Sequence, residues 1–390
     1  MNPSSAGWIN KLINEIGKDN LFFKRNEELF YNDLRTCGFI YGSNLDIVSQ
    51  AFPKNDFTEE ELCKTNLSLA LLYAHKQLGC PKPFVESVID FYTAINEIKT
   101  SFFQGLLGGK KSSEQLEKII HKRIQIDANV LTKNFSYFIV NALLYVDVLA
   151  YMEFLKNGGI SVDYVINLEA SIVAITLGVL NSKTEKNQYD DSLIKLFESS
   201  LRYQDHTQLT YEKAIKHIKT PQEKHYILDI SCMATWSDRV IDINEEQFLK
   251  RLGSDLNLNT ARIQQAIKTV NHFYTTHKDN IALLSTKNIV QSFYDNSSKM
   301  VYKLISRNSK RLYQELKDSK ELMVLLTQST VRDLTAEEQK KVQAQLLDIF
   351  KSIPSLAIFL LPGGALLLPL VVKFIPKLLP SAFDENRIEE

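Results

Sequence analysis

Proline is nearly absent from the middle of this chain. None occurs between Pro83 and Pro221, nor between Pro221 and Pro354. An interior proline costs a helix about 3 kcal/mol or more, since it removes a hydrogen bond and its ring clashes with the preceding turn. Runs this long without one, in 390 residues that hold only 14 glycines, leave long helices open almost everywhere. Apolar residues fill helical positions: within Leu67 to Ala74 and Phe135 to Leu155 they recur at i, i+3, i+4 and i+7. No segment of similar length alternates with period two. The expected class is all-α, a multi-helical chain of bundles ending in a proline-punctuated apolar segment.

Three regions are expected, 1–160, 161–290 and 291–390. The first opens on an amphipathic stretch (Trp8, Ile9, Leu12, Ile13, Ile16) and breaks at Cys80-Pro81-Lys82-Pro83. Gly108 to Ser113 reads as a polar loop, and Asn157-Gly158-Gly159 as a helix C-cap that closes the region. In the second, the apolar Ala170 to Leu180 reads as a core helix. Thr220-Pro221 starts another helix with proline in its first turn, running on to Trp236. The third holds a capping box, Thr335-Ala336-Glu337-Glu338, ahead of a helix carrying Val342, Leu346, Leu347 and Phe350.

Charge balance removes whole function classes. Lys plus Arg equals Asp plus Glu at 46 each, so affinity for nucleic acid or membrane has to be local. Four cysteines (Cys37, Cys63, Cys80, Cys232) form neither a CxxC pair nor a disulfide framework, which fits a reducing compartment. The first residues lack a secretory pattern, so the bulk of the chain is expected in the cytoplasm.

From Ser352 to Val372 the chain carries 21 residues without a charge, between Lys351 and Lys373. A spanning helix needs about 20. Pro362, Pro369 and Pro376 recur every seven residues and Gly363-Gly364 sits between them, which speaks against a regular span. A re-entrant hairpin, an interfacial tail and a tail folded onto the protein are the alternatives. Orientation is undecided by charge: Lys340, Lys341 and Lys351 precede the segment, and Lys373, Lys377 and Arg387 follow it.

Ile353-Pro354, Phe359 to Pro362, Leu367-Leu368-Pro369 and the ending Lys373-Phe374-Ile375-Pro376-Lys377-Leu378-Leu379-Pro380-Ser381-Ala382-Phe383 resemble the LETM family. These are the leucine-zipper/EF-hand transmembrane proteins of the mitochondrial inner membrane and their bacterial relatives. The resemblance runs from about Val301 to Phe383. It implies a ribosome-binding domain beside a membrane, in a family tied to cation/proton exchange and to membrane insertion of nascent chains. No EF-hand loop accompanies it.

Lys299, Lys303, Arg307 and Arg311 fall four apart with Lys310 beside them, a basic helical stripe within a local surplus of three positive charges over 291–351. Such a stripe suits RNA phosphates or anionic headgroups; the alternative is a solvated face paired with Glu315, Asp318 and Glu321. Tyr302 and Tyr313 lie among these residues and could stack on bases or be buried. The run Ala234 to Glu246, with Phe248-Leu249 and Leu252, resembles TerB-like tellurite-resistance domains. That resemblance implies a divalent cation at Asp238, Asp242 and Glu245, although Arg239 stands where the pattern has glycine. A turn capped by Asp242 or Asn244 accounts for the same residues. The histidines (75, 121, 206, 217, 225, 272, 277) show no HExxH spacing, and no nucleophile or phosphate-loop motif occurs.

The expectation is a non-enzymatic, membrane-associated LETM-like protein without an obligatory cofactor or small-molecule substrate. Its partners would be the ribosome or a membrane protein complex, and lipid. The alternatives are a role in cation/proton exchange by oligomers, and a soluble TerB-like helical scaffold.

Overall fold

The computed structural model describes residues 1–17, 20–52, 57–99, 111–124, 144–186, 191, 194, 209–235, 241–277, 294, 298–299, 301–302, 304–353, 356, 359 and 367–378. Among these residues every regular element is helical and no strand occurs. The all-α class is correct.

The first helix, α1 (Trp8–Ile16), buries Trp8, Ile9, Leu12 and Ile16 along one stripe. Its open N-terminal amides are covered from a distant element. The Gly7 and Ile9 N–H groups donate to the Glu117 carboxylate, each at 3.0 Å, from α5 (Ser113–Ile124). A carboxylate placed there satisfies orphan donors and complements the helix dipole. Next, α2 (Glu27–Thr36) is capped by Asn26, and α3 (Glu59–Gln77) starts on a Thr58–Glu61 capping box. Every residue of α3 from Leu62 to His75 is buried, which makes it the central rod of the amino-terminal half. Between α2 and α3 the chain folds inward through a compact loop. Gly38 has φ +86°, and a Cβ there would sit 1.7 Å from the Ser43 carbonyl oxygen, so the loop needs glycine.

Around α3 pack α5 and α6 (Leu144–Asn157), with α4 (Phe84–Lys99) beside them. A second group forms around α7 (Val162–Ser182): α8 (Tyr211–His217), α9 (Pro221–Thr235) and α10 (Ile243–Asp255), with α11 (Thr260–His277) on α9 and α10. The Pro221 start holds: Glu223 accepts from the Lys219 and Thr220 amides at 2.7 and 2.9 Å and from the Tyr164 hydroxyl at 2.7 Å. Two buried ion pairs pin these groups. Arg35 Nη2 meets Asp229 Oδ1 at 2.6 Å while the Tyr31 hydroxyl donates to Oδ2 at 2.7 Å, joining α2 to α9. Arg123 grips Asp147 through Nε and Nη2 at 2.6 and 2.7 Å, with Tyr92 donating at 3.0 Å, joining α5, α6 and α4. Burial opposes the Arg35 charge, but Asp229, Tyr41 and Tyr31 outweigh it and hold the guanidinium protonated.

The carboxy-terminal helices form their own set: α12 (Ser309–Lys317), α13 (Lys320–Gln328), α14 (Ala336–Ser352) and α15 (Leu368–Leu378). Contacts run α12 to α13, α12 and α13 to α14, and α13 to α15. The Thr335 capping box is formed as the spacing requires, and Arg332 clamps its Glu338 at 2.6 and 2.8 Å. That guanidinium, with the Thr335 amide, holds the Glu338 carboxyl down at about 2.

Candidate functional site

The long apolar run is divided in the fold. The helix α14 ends at Ser352, Ile353 is extended, and α15 covers Leu368–Leu378. The described residues of this stretch face the protein. Ile353, Leu356 and Phe359 are buried, the Phe359 ring 5.0 Å from Phe350, and so are Leu367, Leu368, Leu370, Val371 and Ile375. The spacing of Leu368, Val371 and Ile375 is that of one helix face, and this face packs on α13. Pro369 lies in the first turn of α15, where a missing N–H costs nothing, and Pro376 in the last. Both are half-buried, while Lys373 and Lys377 are exposed. Pro354, Pro362, Gly363, Gly364, Pro380 and Phe383 lie outside the described residues. The one described helix long and apolar enough to cross a membrane is Asp163–Ser182, inside α7, and half of it is buried in the fold.

The basic stripe begins on helical backbone before α12 and continues along it. Asn308 breaks the two pieces: it leaves the helical region (φ −104°, ψ 9°), and its side-chain amide donates back to the Leu304 carbonyl at 2.7 Å. On one side Val301, Leu304 and Ile305 are buried, and on the other Leu312 and Leu316. The residues between those apolar positions must face solvent, and Lys299, Arg307, Lys310 and Arg311 are exposed. Lys303 lies outside the described residues.

The local carboxylates are engaged elsewhere. Glu321 accepts from Lys341 and Gln345, both at 3.1 Å, and Glu315 accepts from the Ser352 hydroxyl at 3.0 Å. Both contacts cross to α14. Among the described residues Lys299, Arg307, Lys310 and Arg311 have neither an ion pair nor a hydrogen-bond partner. Among the described residues none of these four cations pairs with Glu315, Asp318 or Glu321, the carboxylates of the alternative reading as a solvated, paired face.

The turn before α10 is a built cap. Asp242 Oδ1 accepts from the Asn244 and Glu245 amides, each at 2.8 Å, and Oδ2 accepts from the Thr184 amide and hydroxyl, each at 2.9 Å. The Glu245 carboxylate returns to the Asp242 amide at 2.9 Å. These bonds keep the Asp242 carboxyl below its usual range, led by the Thr184 amide. Asp238 lies outside the described residues. Among the described residues no three His, Cys, Asp or Glu side chains converge as a metal group.

A ring and a lysine connect the stripe to the tail. Lys373 on α15 donates to the Tyr294 hydroxyl at 2.8 Å, its ammonium 5.4 Å from that ring's centroid. Phe374 meets Tyr302 edge-on, with centroids 5.9 Å apart. The stripe and α15 are therefore adjacent, although 79 residues separate Tyr294 from Lys373. Periodicity reports which face a residue takes, and it gives no signal of this pairing.

Residues 334–390 match the family model described as LETM1-like, RBD, a ribosome-binding domain. The C-terminal region is LETM1-like. The match covers α14, the apolar stretch and α15, and begins later than the Val301 boundary expected from the sequence. The basic stripe lies just outside this LETM1-like segment but packs onto it through α12 and α15. No curated protein and no solved structure matches the chain.

Proposed function

We propose that this chain is a non-enzymatic binding protein that docks on the ribosome through the exposed stripe Lys299, Arg307, Lys310 and Arg311, beside its LETM1-like region. The observation that carries this is the uncompensated charge: acidic neighbours on α12 and α13 turn to α14, and the cations are left for an external polyanion. Phosphate-rich RNA recruits such cations by releasing its own condensed counterions. Co-sedimentation of the full chain with purified ribosomes tests it. Binding lost in the Arg307→Glu, Arg311→Glu double variant supports the assignment, and unchanged pelleting of that variant sinks it.

A second reading is membrane association. Its support is the charge-free run from Ser352 to Val372, next to a region similar to a family of membrane proteins. The described leucines and phenylalanines of that run now pack on protein. A carbonate wash of membranes from cells expressing the full chain, or residues 1–350, separates the two arrangements. Retention of the full chain alone favours insertion. Release of both favours a protein-covered tail and removes the ground for a cation/proton exchange role.

A further inference from the structure

We infer that Tyr302 is a stacking platform for an unpaired base of single-stranded RNA, whose backbone is held by Lys299, Lys373 and Lys377. This rests on the ribosome reading above and narrows it to a local structure of the RNA. Tyr302 keeps 49% of its surface exposed while its neighbours Val301 and Leu304 are buried. Large aromatic rings at this exposure are rare here: it is the only tyrosine or phenylalanine among the large exposed hydrophobic residues described. The ring is also held in place, because Phe374 packs against it at an interplanar angle of 88°. A ring fixed edge-on by one neighbour loses little freedom when a base covers its free face. Exposed cations lie on the two elements that meet at this ring pair. Lys299 is exposed three residues before Tyr302, and Lys373 is exposed next to Phe374 in the chain. Among the described residues the only partner of Lys373 is the phenol of Tyr294, which leaves its charge uncompensated. Lys377 is exposed one turn further along α15.

An aromatic face among spaced lysines is the common device for binding single strands, where bases stack and phosphates follow the cations. Paired RNA keeps its bases stacked on each other and offers no face to the ring. A lipid surface fits less well. Interfacial helices present an outward apolar face, but on α15 the apolar residues Leu368, Leu370, Val371 and Ile375 point inward.

Fluorescence anisotropy of the full chain with a labelled 12-nucleotide single-stranded RNA, and with the same strand in a duplex, tests the assignment. Tyr302→Leu, which keeps an apolar contact for Phe374, should weaken single-strand binding about 5- to 150-fold, the cost of one lost stack. Tyr302→Phe should bind like the parent, since the ring and not the hydroxyl stacks. Equal single-strand affinity in Tyr302→Leu, or duplex binding as tight as single-strand binding, overturns the inference. So does Tyr302-dependent binding to anionic phosphatidylserine vesicles without RNA binding. If ribosome pelleting still depends on Arg307 and Arg311 while Tyr302→Leu pellets normally, docking stands and only the stacking platform falls. Loss of ribosome pelleting in neither variant, with intact single-strand binding through Tyr302, removes the docking reading instead.

Discussion

Salt dependence measures how many cations of the stripe meet phosphate. Four side chains (Lys299, Arg307, Lys310 and Arg311) are exposed and unpaired among the described residues. Each phosphate neutralised contributes a slope of about −0.7 to −0.9 in log affinity against log salt, so the four stripe contacts contribute about −2.8 to −3.6, to which Lys373 and Lys377 add about −1.4 to −1.8. Through the stripe alone, raising monovalent salt from about 50 to 200 mM then weakens ribosome binding about 50- to 150-fold. Arg307→Gln with Arg311→Gln removes two of the contacts and should make the slope shallower by about 1.4 to 1.8. A control is built into the fold. Arg332 and Lys341 already pair with Glu338 and Glu321, so Arg332→Gln with Lys341→Gln should leave the slope where it was. Quantitative pelleting of ribosomes over a salt series reads both numbers. An unchanged slope in the arginine pair, or a slope halved by the control pair, would refute the role given to the stripe.

Asp147→Asn removes the buried carboxylate charge that Arg123 grips, and urea titration should show a loss of about 3–5 kcal/mol; replacing both partners by Leu and Met should cost far less. Gly38→Ala should destabilise beyond the 1–2 kcal/mol or so that a left-handed residue costs, because the new methyl overlaps the Ser43 carbonyl; a loss under about 1 kcal/mol in the same titration would contradict the loop geometry. Burial, aided by Arg262 and Arg35, holds the His225 imidazole down at about 4. The unfolded chain therefore binds more protons than the native one between that value and the ordinary 6.5, and stability should fall as pH drops through this window, with the slope flattened in His225→Phe.

Much of the fold is legible because it is local. The absence of proline, the Thr335 capping box and the Thr220-Pro221 helix start each act within one turn, and each is found where the spacing puts it. The buried ion pairs left a weaker trace. Asp229 stands in Tyr-Ile-Leu-Asp-Ile and Asp147 in Leu-Leu-Tyr-Val-Asp-Val-Leu, single carboxylates inside apolar runs. A charge there has to find a buried partner or the helix cannot sit in a core. Such a run announces that a partner exists without saying which arginine it is. The engagement of Asp242 is likewise non-local, since two of its four donors come from Thr184, 58 residues away. For the stripe, sequence offered two readings of the same charges. What separates them is the direction of Glu315 and Glu321, set by the packing of α12 and α13 on α14.

The tail shows why apolar length is a poor guide by itself. Hydrophobic burial is non-directional, so a leucine gains much the same from a protein core as from a bilayer. The backbone discriminates, because lipid offers no partner to an unpaired carbonyl. Pro376 cannot donate to the carbonyl of Val372, one turn back, and this carbonyl needs an acceptor's partner from elsewhere. Close to the end of a short helix lying on a protein surface, water supplies it cheaply. At mid-depth in a membrane the same orphan costs several kcal/mol. Pro369 and Pro376 are therefore at ease in the short helix α15 laid on α13, with Lys373 and Lys377 on the wet side.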